Sequence, residues 1–132
     1  MTSFAADVKA AGGRAIPLKV KGAFHTPFMA EASDEFAQEL AGVDFHKNSV
    51  DLYSDVTAKT YGDDIEGLLA QQMCSPVRWE DLIRNMIADD VDTFIEIGPG
   101  KTLINMIGRI DPSVKTCSVA DMPAMLVEVA AC

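Results

Sequence analysis

One short stretch concentrates residues that can do chemistry: "KGAFHTPFMAEA", Lys21 to Ala32. His25 stands between an aromatic residue and a Thr-Pro pair, where an extended segment gives way to a helix. A neutral imidazole with a pKa near ~6.5 can take a proton and return it at neutral pH, so His25 is a candidate general base. A turn histidine that hydrogen-bonds the backbone is the other reading of the same residue. His46, in "GVDFHKNS", follows a helix end among polar residues and reads as an ordinary surface histidine.

A base needs something to activate. None of the seven serines has the glycine neighbours of G-x-S-x-G, so no nucleophile elbow is present in these residues. The three cysteines, Cys74, Cys117 and Cys132, are far apart. Neither a zinc site nor a disulfide framework is suggested, so the expectation for metal is none. Cys74 follows a helix C-terminus, a position that disfavours a thiolate.

Two further signals accompany His25. Gln72 falls on the apolar side of its helix with Ile65, Leu68 and Leu69, which predicts a buried amide able to hold an imidazole in one tautomer. A helix-end amide satisfied by local backbone is the alternative. Gly98-Pro99-Gly100-Lys101-Thr102 resembles the end of a phosphate-binding loop, but the glycine required five positions before Gly100 is Ile95. The nucleotide reading therefore fails. A tight turn packing a helix N-terminus against a strand end remains, with that terminus free to face an anion or a reacting oxygen.

These residues need a scaffold. Residues 5–11 predict a helix closed by Gly12 and Gly13. "AIPLKV" (15–20) predicts an edge or irregular strand, because Pro17 cannot donate to a ladder. Thr26 and Pro27 open a helix whose inner stripe is Met29, Ala32, Phe36, Leu40 and Val43. "SVDLYSDV" (49–56) predicts a strand. A helix carrying Gln72 follows, then one with Trp79, Leu82, Ile83, Met86 and Ile87 inward. "DTFIEIG" (92–98) predicts a strand inside a sheet. The next helix carries Leu103, Ile104, Ile107 and Ile110, "VKTCSV" (114–119) predicts a last strand, and "MPAMLVEVAA" a terminal helix. Strands separated by helices indicate an α/β fold with a mainly parallel sheet and helices on both faces. In such sheets functional residues collect where strands end and helices begin, as His25 and the Gly98–Gly100 turn do.

Composition excludes some functions. The chain has 132 residues, 48% of them hydrophobic, enough for a core. Its formal net charge of −9 argues against a general nucleic-acid binder. Apolar runs fall far short of the ~20 residues of a membrane span. "MTSFAADVKAAGG" lacks the pattern of a signal peptide. A cytoplasmic protein is expected, with no nucleic-acid or membrane partner.

Three segments in order, "KGAFHTPFMAEA", "LLAQQMCSPVRWEDLIRNM" and "FIEIGPGKTL", resemble the C-terminal part of malonyl-CoA:acyl carrier protein transacylases and related acyltransferase domains. The resemblance runs from about Ala5 to Met125. It implies the C-terminal portion of an α/β-hydrolase-like subdomain in residues 21–132. Residues 1–20 would keep one helix and one strand of a small ferredoxin-like subdomain. It implies [acyl-carrier-protein] S-malonyltransferase chemistry in fatty-acid biosynthesis, in which a serine attacks the thioester of malonyl-CoA and passes malonyl to acyl carrier protein. Coenzyme A enters as the substrate's thioester, and no resident cofactor is implied. His25 matches the family's base and Gln72 the residue that orients it. Ala23-Phe24 matches the malonyl-selective type, the ring filling the space an α-methyl branch needs. The serine elbow, its oxyanion loop and the carboxylate-binding arginine have no counterpart in these residues, so the isolated chain is expected to be inactive. A polyketide synthase-type acyltransferase and a non-catalytic truncated interaction module stay open. "MTSFA" resembles a family N-terminus joined to a late segment. Loss of central strands would expose "DTFIEIG", so a dimer or a complementary fragment is expected. Arg14, Lys19 and Lys21 are candidate contacts for the carrier protein.

Overall fold

A computed structural model describes residues 2–17, 20–46 and 48–119. Helix α1 spans Thr2–Ala10, and a 3₁₀ turn, Pro27–Met29, leads into α2, Ala30–Leu40. Helices α3 (Ile65–Gln72) and α4 (Trp79–Ala88) follow, then strand β1 (Thr93–Glu96), helix α5 (Thr102–Ile110) and strand β2 (Lys115–Ser118). β1 and β2 pair in parallel, with Thr93 opposite Lys115 and Glu96 opposite Ser118. A parallel pair needs a crossover, and α5 provides it. The α/β class and the parallel sheet expected from the sequence are those observed.

The core lies where α4, α5 and β1 meet. Leu82 and Ile83 of α4, Phe94 of β1 and Ile107 of α5 are buried together with Ala58. Trp79, Met86, Ile87 and Ile110 pack around them, as their helical spacing predicts. Leu103 departs from its predicted inward position and is 44% exposed. β1 alternates: Phe94 is buried, whereas Ile95 and the following Ile97 are 51% and 84% exposed. The strand is therefore covered on one face only, not enclosed as its apolar sequence predicts.

Two predicted strands differ. Ala15–Pro17 and Val20 form no strand; Leu18 and Lys19 lie outside the described residues, as do Cys132 and the terminal helix predicted over 122–131. "SVDLYSDV" makes a closed loop instead of a strand. Tyr53 forms a single antiparallel bridge with Thr60, and the Ser54 amide donates to the Lys59 carbonyl at 2.8 Å. The chain turns back on itself there before a ladder can extend.

The inner line of α2 keeps Met29, Ala32 and Leu40 of the predicted stripe, takes in Ser33 and Ala37, and leaves Val43 51% exposed. Ser33 and Leu40 are the buried residues, with Met29 and Ala37 half-buried beside them, while Phe36 is at the edge of exposure. A serine counted as polar takes an inward position because its hydroxyl finds a partner across the helix interface.

Candidate active site

His25 lies just before the 3₁₀ turn, in the left-handed region at φ 59°. That region is uncommon for a residue with a side chain, although histidine enters it more often than most. Two hydrogen bonds hold the residue there. Its backbone amide donates to the Met73 carbonyl at 3.0 Å, and its ring Nδ1 lies 3.0 Å from the Gln72 carbonyl oxygen. Both acceptors are at the C-terminal end of α3.

The second bond decides the proton's position. A carbonyl oxygen only accepts, so Nδ1 must carry the hydrogen. In the neutral ring Nε2 is then the unprotonated nitrogen, and its lone pair is available for a proton from outside. The two readings of His25 are thus compatible: a turn histidine bonded to backbone through Nδ1 keeps Nε2 able to accept a proton. His25 itself is exposed.

Gln72 bonds the His25 ring through its main chain. Its side chain is half-buried, not the buried amide that the apolar spacing predicts. The last carbonyls of a helix lack partners within it, and at α3 they are taken by other donors. Ser75 N–H also reaches the Gln72 carbonyl at 3.3 Å, and the Ser33 hydroxyl donates to that of Ala70 at 2.7 Å. Sequence reasoning missed Ser33. The available signal was its place four residues after Met29 and seven before Leu40.

Ala23 and Phe24 lead into the histidine. Thr26 is extended and does not cap the following turn; its Oγ1 donates back to the Ala23 carbonyl at 2.6 Å. The Phe24 ring, 61% exposed, folds over Gly22, where a Cβ would sit 2.7 Å from the ring's Cζ. Gly22 therefore gives the ring its place beside the backbone.

The Gly98–Gly100 turn belongs to the β1–α5 junction. No hydrogen bond among the described residues joins it to His25. Gly98 and Gly100 have φ of 152° and 103°, values that residues with a Cβ rarely adopt. The turn brings the start of α5 back to the end of β1, and Glu96 Oε2 accepts from the Ile104 amide at 3.1 Å. The anion facing this helix N-terminus is thus the protein's own carboxylate, another residue the sequence did not mark. Among the described residues, no group of three or more His, Cys, Asp or Glu could hold a metal ion.

No protein-family model matches the chain. Individual proteins do. It is 40% identical over 110 residues to malonyl CoA-acyl carrier protein transacylase of Bacillus subtilis, covering 82% of this chain and 35% of that protein. It is 36% identical over 123 residues to the Escherichia coli K12 transacylase, covering 91% and 40%. The solved S-malonyltransferase of Burkholderia pseudomallei superposes with a TM-score of 0.86 at 32% identity, covering 99% of this chain and 43% of that one. This chain belongs to the malonyl-CoA:acyl carrier protein transacylases and matches their C-terminal part. It spans 35–40% of the length of these curated relatives. The α/β architecture read from the sequence is that of an acyltransferase subdomain.

Proposed function

We propose that this chain carries the general-base portion of a malonyl-CoA:acyl carrier protein transacylase, with His25 as the base. The observation behind this is the Nδ1 bond to the Gln72 carbonyl, which leaves Nε2 unprotonated. A hydroxyl aligned with Nε2 would lose its proton to the ring as it attacked the malonyl thioester. Gln72 would go on accepting from Nδ1–H while the ring was charged. Nε2–H would then protonate the departing coenzyme A thiolate. In the second half-reaction the carrier protein's thiol would yield its proton to Nε2 and take the malonyl group, and Nε2–H would return that proton to the departing serine oxygen. Phe24 and Ala23 would border the acyl group, the Phe24 ring disfavouring an α-methyl branch. The Gly98–Gly100 turn would act at a distance, by holding the β1–α5 unit together.

The nucleophile must come from residues other than these, since no serine here has an elbow's glycines. Purified chain mixed with malonyl-CoA and holo acyl carrier protein should give no transfer above background. Adding an N-terminal transacylase segment that bears the serine elbow should restore transfer, and His25→Ala should abolish it. Turnover by the chain alone, or restored turnover indifferent to His25, is the result that sinks this reading. Fatty-acid synthesis is the pathway proposed, and the cytoplasm its location; no described helix is long and apolar enough to cross a membrane.

A polyketide role is the second reading. A polyketide biosynthesis malonyl CoA-acyl carrier protein transacylase of Bacillus velezensis is 41% identical over 95 residues. A solved malonyl-transacylase in complex with a type II polyketide carrier protein superposes with a TM-score of 0.78. Comparing carrier proteins of the two pathways as acceptors in the restored reaction separates these readings.

A further inference from the structure

We propose that Ser33 is a positioning residue for His25, a role that rests on His25 acting as the base. Three hydrogen bonds join residues 25–40 to the last turn of α3. Two come from His25, and its Nδ1 bond is open to solvent. The third, from Ser33 Oγ to the Ala70 carbonyl at 2.7 Å, is buried. An exposed hydrogen bond can be exchanged for one to water at little cost. A buried one cannot, because the Ser33 hydroxyl would be left without a partner, even though the Ala70 carbonyl would keep the Met73 amide at 3.2 Å. The Ser33 bond is therefore the fixed point of the three.

The chain path turns that fixed point into control of the imidazole. His25 is joined to α2 through the short 3₁₀ turn. The oxygens that hold it, on Gln72 and Met73, lie two and three residues beyond Ala70 at the end of α3. The distance from Nδ1 to the Gln72 oxygen thus depends on how α2 and α3 are set against each other. Ser33 and Ala70 are both small and buried, which lets the helices come close enough for the bond. A helix-interior serine often turns its hydroxyl onto the carbonyl four residues earlier in its own helix. Here it crosses to the neighbouring helix instead. Without the hydroxyl, α3 would lose its buried tie to α2. The His25 ring would then sample both neutral tautomers, and Nε2 would be unprotonated only part of the time.

Nitrogen NMR reads this directly. In ¹⁵N-labelled chain, long-range ¹H–¹⁵N spectra of the neutral imidazoles give one pattern for His25 and one for His46. His46 is exposed and serves as an internal reference. His25 should show the Nδ1–H pattern. In Ser33→Ala its two nitrogen shifts should move towards each other while those of His46 stay in place, and Ser33→Thr, which keeps a hydroxyl, should restore them. If Ser33→Ala does not fold, Ser33→Cys, of similar size but a weaker donor, should show the same movement in a folded chain. An unmoved His25 pattern in a folded Ala or Cys variant overturns the role of Ser33 and leaves His25 as the base. A native chain lacking the Nδ1–H pattern overturns both.

Discussion

Tyr53 and Asp89 form a residue-scale tie whose strength can be read by titration. The Tyr53 hydroxyl donates to Asp89 Oδ2 at 2.6 Å, fastening the 52–61 loop to the end of α4. The carboxylate accepts from the phenol but would repel a phenolate. That hydrogen bond is the main reason the Tyr53 pKa is pushed up to about 12. Tyr61 is raised as well, chiefly by burial. A phenol whose folded pKa exceeds its unfolded value stabilises the fold fully below the unfolded value of 10.0, and that contribution is lost as pH rises through about 12. Tyrosinate absorbance should therefore develop late in the native chain, and Asp89→Asn should bring the Tyr53 step back towards 10.0. A step unmoved by that substitution contradicts the hydrogen bond. The same scale shows what the sequence could convey about His25. Its residue type and its place before a helix were legible. Gln72 as its partner came from the family resemblance; that the main chain and not the amide accepts was not legible, because a backbone carbonyl leaves no mark on residue identity.

The β1–α5 unit shows how one element is finished by another. The first turn of α5 has no side-chain cap from Lys101, and Glu96 serves from the preceding strand by accepting from the Ile104 amide. A carboxylate at a helix N-terminus satisfies an orphan amide and meets the positive end of the helix dipole. Glu96→Ala should lower stability by about 1 kcal/mol. It should be seen as an earlier urea midpoint with an unchanged slope, and Glu96→Gln should retain part of the effect. A midpoint equal to that of the native chain means that the cap contributes nothing. Elements of this kind were legible where their own residues set the pattern. The 3.6-residue spacing of Leu82, Ile83 and Met86 marked α4, and the short apolar run before two glycines marked β1. Elements that depend on partners were not. "AIPLKV" and "SVDLYSDV" have strand-like composition, yet a strand requires a neighbour with free amides and carbonyls, and neither described stretch has a ladder. Ser33 was missed for a related reason: hydrophobic periodicity counts a serine as outward, although a buried acceptor can draw it in.

The molecule is short of cover. Among the described residues large apolar side chains stand open: Phe28 is 90% exposed, Ile97 84% and Phe24 61%. β1 pairs only with β2 among the described residues, so its other edge offers unpaired amides and carbonyls beside Ile95 and Ile97. Such an edge invites pairing with another chain. Fully burying an isoleucine is worth about 1.5–3 kcal/mol, so a partner that covers these residues together gains from their burial. The relatives of which this chain spans 35–40% contain the additional sequence from which such cover can come. Alone, the chain should associate with itself; with an N-terminal transacylase segment present, it should exchange self-association for a one-to-one complex. Size-exclusion chromatography with light scattering distinguishes these states. Ile97→Lys, which places a charge on the open face without touching the core around Ile83, should return the chain to a folded monomer. A native chain that remains monomeric at micromolar concentration, with the circular dichroism of the folded state, contradicts the expectation that this face needs a partner.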